Sequence, residues 1–126
     1  MTLASSNGNV VTLIMTAHAL PVLREFELLV LLAVFSLGDT AYPLAIGDAI
    51  EKRIKRRASR AAVLITLERL EDKGFLTSRY GDPTPVRGGR AKRFFLPKPS
   101  AIQAVKESLQ RINTMTVGLE SLLKKP

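Results

Sequence analysis

The chain of 126 residues has no cysteine, no tryptophan, one histidine, and only 11 acidic residues against 19 lysines and arginines. Each shortage removes a class of function. Without cysteine there is no disulfide framework, no thiolate nucleophile and no cysteine-based zinc site, a composition compatible with a reducing compartment. The lone histidine, His18, has no positioned partner nearby in the sequence and reads as a solvated side chain, not a general base. Glu68, Glu71 and Asp72 read as the water-facing side of a helix and supply no catalytic carboxylate pair. The glycines give no cofactor motif either, because Gly88 and Gly89 do not stand at a strand-to-helix turn where a phosphate would be cradled. Long uncharged apolar runs are also missing. The stretch from Val10 to Leu37 is interrupted by Arg24, Glu25 and Glu27, which argues against a membrane span, and no basic segment precedes it as in a secretory signal. These absences predict a cytoplasmic protein that is not an enzyme, binds no metal or cofactor, and by length forms one domain.

Positive charge is what the chain has in excess, with a formal net charge of +8. Six lysines and arginines fall within residues 51–60 and four within residues 87–93, so the charge has a location. A localised field of this sign attracts polyanions.

The basic windows flank one patterned segment. Val63, Leu67 and Leu70 recur at helical spacing, Ser59 can cap the start, and Gly74 can supply the left-handed residue that closes the end. Phe75 to Tyr80 then reads as a strand and Ala91 to Leu96 as its return. The intervening GDPTPVRGGR holds two prolines and three glycines, which no regular element tolerates. Upstream, Tyr42, Ala45, Ile46, Ala49, Ile50 and Ile54 predict a second amphipathic helix, joined through a short basic link to Ser59. The two helices make a helix-turn-helix pair followed by a basic wing, a shape that binds nucleic acid.

Two further helices are apolar beyond what a small domain can cover. Arg24 to Leu37 is apolar on most sides after Glu27. Ser100 to Leu123 carries Ile102, Val105, Leu109, Ile112, Leu119 and Leu123 on a heptad-like grid, with Thr116 in the remaining position. Together they predict self-association, with Phe26, Leu29, Val30 and Ala33 of the first helix and the six residues of the last forming the dimer interface. The fold class expected is mostly α with a small β-hairpin wing. Residues 1–22 form a tail or arm, residues 23–97 a winged helix-turn-helix domain, and residues 98–126 a C-terminal dimerisation helix.

Five segments carry a resemblance: REFELLVLL at 24–32, LGDTAY at 37–42, SRAAV at 59–63, TLERLEDKG at 66–74 and GDPTPVRGGRAKRFF at 81–95. Together they resemble the PadR family of bacterial winged-helix transcriptional regulators, over residues 24–96. The resemblance implies a dimeric repressor that binds a palindromic site in double-stranded DNA. A small hydrophobic effector is also implied, since some PadR-like regulators respond to phenolic acids or hydrophobic drugs.

On this reading Ser59, Arg60, Ala61, Leu64, Ile65 and Arg69 face the major groove. Arg56, Arg57, Arg87, Gly88, Gly89, Arg90, Lys92 and Arg93 meet phosphates or the flanking minor groove. Three departures from the family pattern stand out. Pro43 replaces the usual glycine after Tyr42, and LPKPS at 96–100 replaces the usual LTPxG. Leu64 and Ile65 occupy recognition-helix positions where the family commonly has tyrosine and a polar residue. Such a surface has few donors for base edges, although apolar contact with thymine methyls is open to it. The expectation is affinity drawn mostly from phosphates with weak sequence discrimination. The alternative is an interaction module that kept the fold and turned an apolar surface toward a protein.

Overall fold

The computed structural model describes residues 22–82 and 91–124. The expected tail lies almost entirely outside the described residues.

Helix α1, Glu25–Leu37, opens on Arg24, whose backbone N–H donates to Glu27 Oε1 at 2.9 Å, and closes on Gly38 at φ +57°. A glycine there avoids the strain a side chain meets at positive φ. After the 3-10 turn Gly38–Thr40 comes helix α2, Pro43–Ile54. Pro43 occupies its first turn, where the missing N–H costs nothing. Lys55 ends α2 in the left-handed region at φ +58°, and residues 55–59 link it to helix α3, Arg60–Asp72.

The start of α3 is capped as its sequence predicts: the Ala62 N–H donates to Ser59 Oγ at 3.1 Å. At its other end Gly74, φ +85°, donates to the Glu71 carbonyl, and Phe75 N–H donates to the Leu70 carbonyl at 2.9 Å. Crossed bonds of this kind satisfy the last carbonyls of a helix, and the contact between Leu70 and Phe75, both buried, seals them. The chain is thereby turned straight from α3 into strand β1, Leu76–Tyr80.

Strand β1 pairs antiparallel with β2, Arg93–Pro97, from Leu76 opposite Pro97 to Tyr80 opposite Arg93. Each strand begins slightly later than expected, since Phe75 belongs to the helix closure and residues 91–92 precede the ladder. The N–H of Phe95 donates to the Ala41 carbonyl at 2.8 Å, which fastens the hairpin to the link between α1 and α2. The core lies between these elements, with Val30, Leu31, Val34, Ile46, Val63, Leu67, Leu70, Phe75, Leu76 and Phe95 all buried.

Helix α4, Pro99–Thr116, lays Ala101, Ala104, Val105 and Ser108 against the core. The small side chains of that stripe admit the helix close to the body. The expected single helix to Leu123 is instead two. Gly118, at φ +87°, stands after α4, and the short helix α5, Glu120–Leu123, follows it, with Leu119 at its N-cap and Leu123 at its end. The heptad grid therefore stops at Thr116. Among the described residues no helix is long and apolar enough to cross a membrane.

Burial also corrects the expected dimer set. Val30 and Val105 are covered by the chain's own core, as nearly is Ala33, so these three have little surface to offer a second copy. The mixed apolar face of α1 is divided between its neighbours within the fold. From Leu109 onward, by contrast, every described residue is exposed except the half-buried Thr116, and Met115, Val117 and Leu122 join Leu109, Ile112, Leu119 and Leu123 as uncovered apolar side chains.

Candidate nucleic-acid interface

The apolar stripe of α3 fixes which side faces outward. With Val63, Thr66, Leu67 and Leu70 buried, the opposite side presents Ala61, Leu64, Ile65, Glu68, Arg69 and Asp72 to solvent. Leu64 keeps 38% and Ile65 50% of its surface exposed. Arg60 stands exposed in the first turn of the helix, and Arg56 and Arg57 on the link before it. The sequence-predicted residues of helix and link are thus all exposed.

Their cations are not equally free. Arg56 Nη1 lies 3.1 Å from Glu25 Oε1, with its guanidinium carbon 5.3 Å from the centre of the Phe26 ring. It stays about half exposed, so the pair is a weak one that solvent screens. The contact holds the link against α1.

Arg93 departs most from expectation. Its Nη2 meets Glu71 Oε1 at 2.6 Å, its Nη1 meets Glu68 Oε2 at 3.4 Å, and its Nε donates to Ser78 Oγ at 3.2 Å. Ser78 in turn donates to Glu71 Oε2 at 2.8 Å. The guanidinium also lies 4.9 Å from the centre of the Phe95 ring. This arginine is not presented to a phosphate. It joins β2 to the outward side of α3, and the Glu68 and Glu71 carboxylates, read in the sequence as solvated, are its partners. The physical reason is register: Ser78 faces Phe95 across the ladder, so Ser78 and Arg93 share the side of the hairpin that faces α3.

On the other side of the hairpin the cations point outward. Arg79, absent from the sequence-predicted set, lies 5.1 Å from the Phe94 ring centre, and Lys92 Nζ lies 4.3 Å from that of Tyr42. Tyr42 and Phe94 meet edge to face at 5.8 Å. The rings hold the two cations in place while leaving them exposed. Strand alternation through Thr77 and Arg79 was the available signal for Arg79. Gly81 closes this corner, because a Cβ there would come within 2.9 Å of the Phe94 ring. Arg87, Gly88, Gly89 and Arg90 lie outside the described residues.

One buried charge stabilises the scaffold. Glu27, on α1, accepts from Lys73 Nζ at 2.8 Å, tying α1 to the end of α3. Burial pushes the Glu27 carboxyl up, but the Lys73 hydrogen bond and charge, with the Arg24 N–H, outweigh it and hold the group below its ordinary value.

No protein-family model matches the sequence. A stretch of 59 residues is 39% identical to the large ribosomal subunit protein bL9 of Rhodospirillum rubrum, covering 47% of this chain and 28% of that protein; the chain spans less than a third of that relative's length. Likeness to solved structures extends further. A PadR family transcriptional regulator from Eggerthella lenta superposes with a TM-score of 0.62 at 15% identity, over 94% of this chain and 97% of that one. For a PadR family transcription regulator from Clostridium difficile the TM-score is 0.59 at 18% identity, covering 76% and 98%. A transcriptional regulator from Clostridium thermocellum gives 0.63 at 18% identity, covering 78% and 89%. Identities this low speak for the fold, which is a PadR-like winged helix.

Proposed function

We propose that the protein is a dimeric DNA-binding transcriptional regulator acting as a repressor, with residues 23–97 reading DNA and residues 98–126 pairing two copies. The observation that carries this reading is the exposure of five cations, Arg57 on the link, Arg60 and Arg69 on the two flanks of the outward side of α3, and Arg79 and Lys92 on the wing. Helix α3 would enter the major groove by its N-terminal turns while the flanking cations meet the phosphate ridges. The likeness in fold to transcriptional regulators supports the same reading.

Binding carried by phosphate contacts is salt-dependent. In fluorescence anisotropy against the chain's own promoter DNA, Arg57→Ala should weaken binding to specific and scrambled duplexes alike and reduce the slope of log affinity against log salt by about one ion. An unchanged slope would remove Arg57 from the phosphate set.

A hydrophobic effector has a candidate place between α1 and α2. The groove is lined mostly by apolar side chains, Leu29, Leu32, Ala49, Ile50 and Ile54 among them, together with Ser36 and Arg53, and its volume is about 140 Å³. Drug-sized ligands fill roughly 300 Å³ or more. In one copy the groove therefore takes only a small ligand.

The exposed Leu64 and Ile65 favour a second reading, a winged-helix module that binds a protein. On that reading Leu64→Tyr with Ile65→Thr damages partner binding and improves DNA binding.

A further inference from the structure

Resting on the DNA-binding reading, we infer that Ala61, Leu64 and Ile65 form a pyrimidine-methyl sensor: the recognition helix selects its site by covering thymine methyl groups in the major groove.

The first two outward turns of α3 carry no hydrogen-bond donor on their central line. Ala61, Leu64 and Ile65 are spaced by three and four residues, so they lie together on one side, and all three are exposed. Base pairs differ in the major groove by their donors and acceptors and by one apolar mark, the C5 methyl of thymine. An alkyl surface answers only the last. The acids nearby do not spoil this: Glu68 is drawn toward Arg93 at 3.4 Å, and Asp72 stands at the far end of the helix. The end that enters the groove is therefore apolar at its centre and basic at its margin, where Arg57 and Arg60 stand. That distribution matches a groove whose floor holds methyls and whose walls are phosphates. A protein partner for the same apolar patch would have to be strongly acidic around its rim.

The test uses duplexes that differ only in methyl groups. The full-length protein is titrated by anisotropy at low salt against an alternating A·T duplex of about 21 base pairs, roughly two helical turns. The same duplex is then used with deoxyuridine in place of every thymine. A matching G·C pair, with cytosine or 5-methylcytosine, returns the methyl to the same groove position in another sequence. Since each buried methyl is worth about fourfold in affinity, covering two or three predicts a loss of roughly 15- to 60-fold from thymine to deoxyuridine. A gain in the same direction is expected from cytosine to 5-methylcytosine. Leu64→Gln with Ile65→Gln, both on the surface, should abolish the methyl dependence and leave the salt slope unchanged.

Equal binding of the thymine and deoxyuridine duplexes by the unaltered protein would overturn the inference and leave the DNA-binding reading standing. A preference for thymine without one for 5-methylcytosine would also overturn it, because duplex flexibility and not the methyl would then be sensed. No binding to any of the four would overturn both.

Discussion

Arg93 commits its guanidinium to Glu71, Glu68 and Ser78, and that commitment separates its loss from the loss of a phosphate-binding arginine. Arg93→Ala leaves the half-buried Glu71 carboxylate and the exposed Glu68 without their cation and releases β2 from α3. Charge-assisted bonds that are partly solvated contribute modestly, so the expected cost is about 1–2 kcal/mol in urea unfolding. DNA affinity should fall with it, yet the salt slope should not move, opposite to the pattern for Arg57→Ala. A drop in slope by one would return Arg93 to the phosphate set. Glu27 gives a second residue-scale prediction, on pH. Its carboxyl is held below the ordinary value in the folded chain, so its contribution is complete above the unfolded pKa, about 4.3, and disappears as pH falls through the lower folded value. Melting temperatures of the unaltered protein and of Glu27→Gln should differ at neutral pH, the variant being lower, and converge in acid. At this scale the sequence conveyed the types of residue but not their partners. The four cations of residues 87–93 look equivalent in the sequence. For the two described ones, Lys92 and Arg93, only the register that puts Arg93 on the α3 side and Phe94 on the other tells them apart, and a register needs both strands.

The elements that carry strong local signals appear where the sequence puts them. Helix α3 is legible because each boundary has its own chemistry, a serine that caps and a glycine at positive φ, and its core stripe of Val63, Leu67 and Leu70 recurs at helical spacing, with Thr66 buried beside it. Ser59→Ala should therefore cost about 1 kcal/mol, read in chemical denaturation, because the Ala62 N–H loses its acceptor. An effect near zero would mean that water caps the helix equally well. The last helix shows the opposite case. Apolar periodicity runs on through residues 117–119, whereas Gly118 takes a backbone conformation that ends the regular helix. The glycine was visible in the sequence, and it outranks the periodicity, because side-chain spacing says which face is apolar and not whether the backbone continues. The buried side of α4 was partly hidden: beside Val105, which the apolar grid includes, its core contacts are made by Ala101, Ala104 and Ser108, small residues that the grid passes over.

For the whole molecule, the question is what covers the far half of α4. The body of the domain takes the helix as far as Ser108, and beyond it Leu109, Ile112, Met115, Val117, Leu119, Leu122 and Leu123 are left in water. Each such side chain gains about 1.5–3 kcal/mol when fully buried, so a partner covering several of them would be stabilised well beyond a typical surface contact. The proposal of pairing through this segment makes a separable prediction, since these residues contribute almost nothing to the core of their own domain. Ile112→Glu with Met115→Glu should convert a dimer into a monomer in sedimentation, while circular dichroism keeps the helical signal of the winged domain. Affinity for a palindromic duplex should fall steeply in the monomer, because linking two half-site contacts raises affinity through effective concentration and not through new contacts. Affinity for a single half-site should hardly change, because α3 and the wing lie on other parts of the fold. If the double variant still sediments as a dimer, the pairing surface lies elsewhere, and the groove between α1 and α2 becomes the next surface to charge. If the unaltered protein is itself a monomer at micromolar concentration, the uncovered half of α4 is waiting for something other than a second copy.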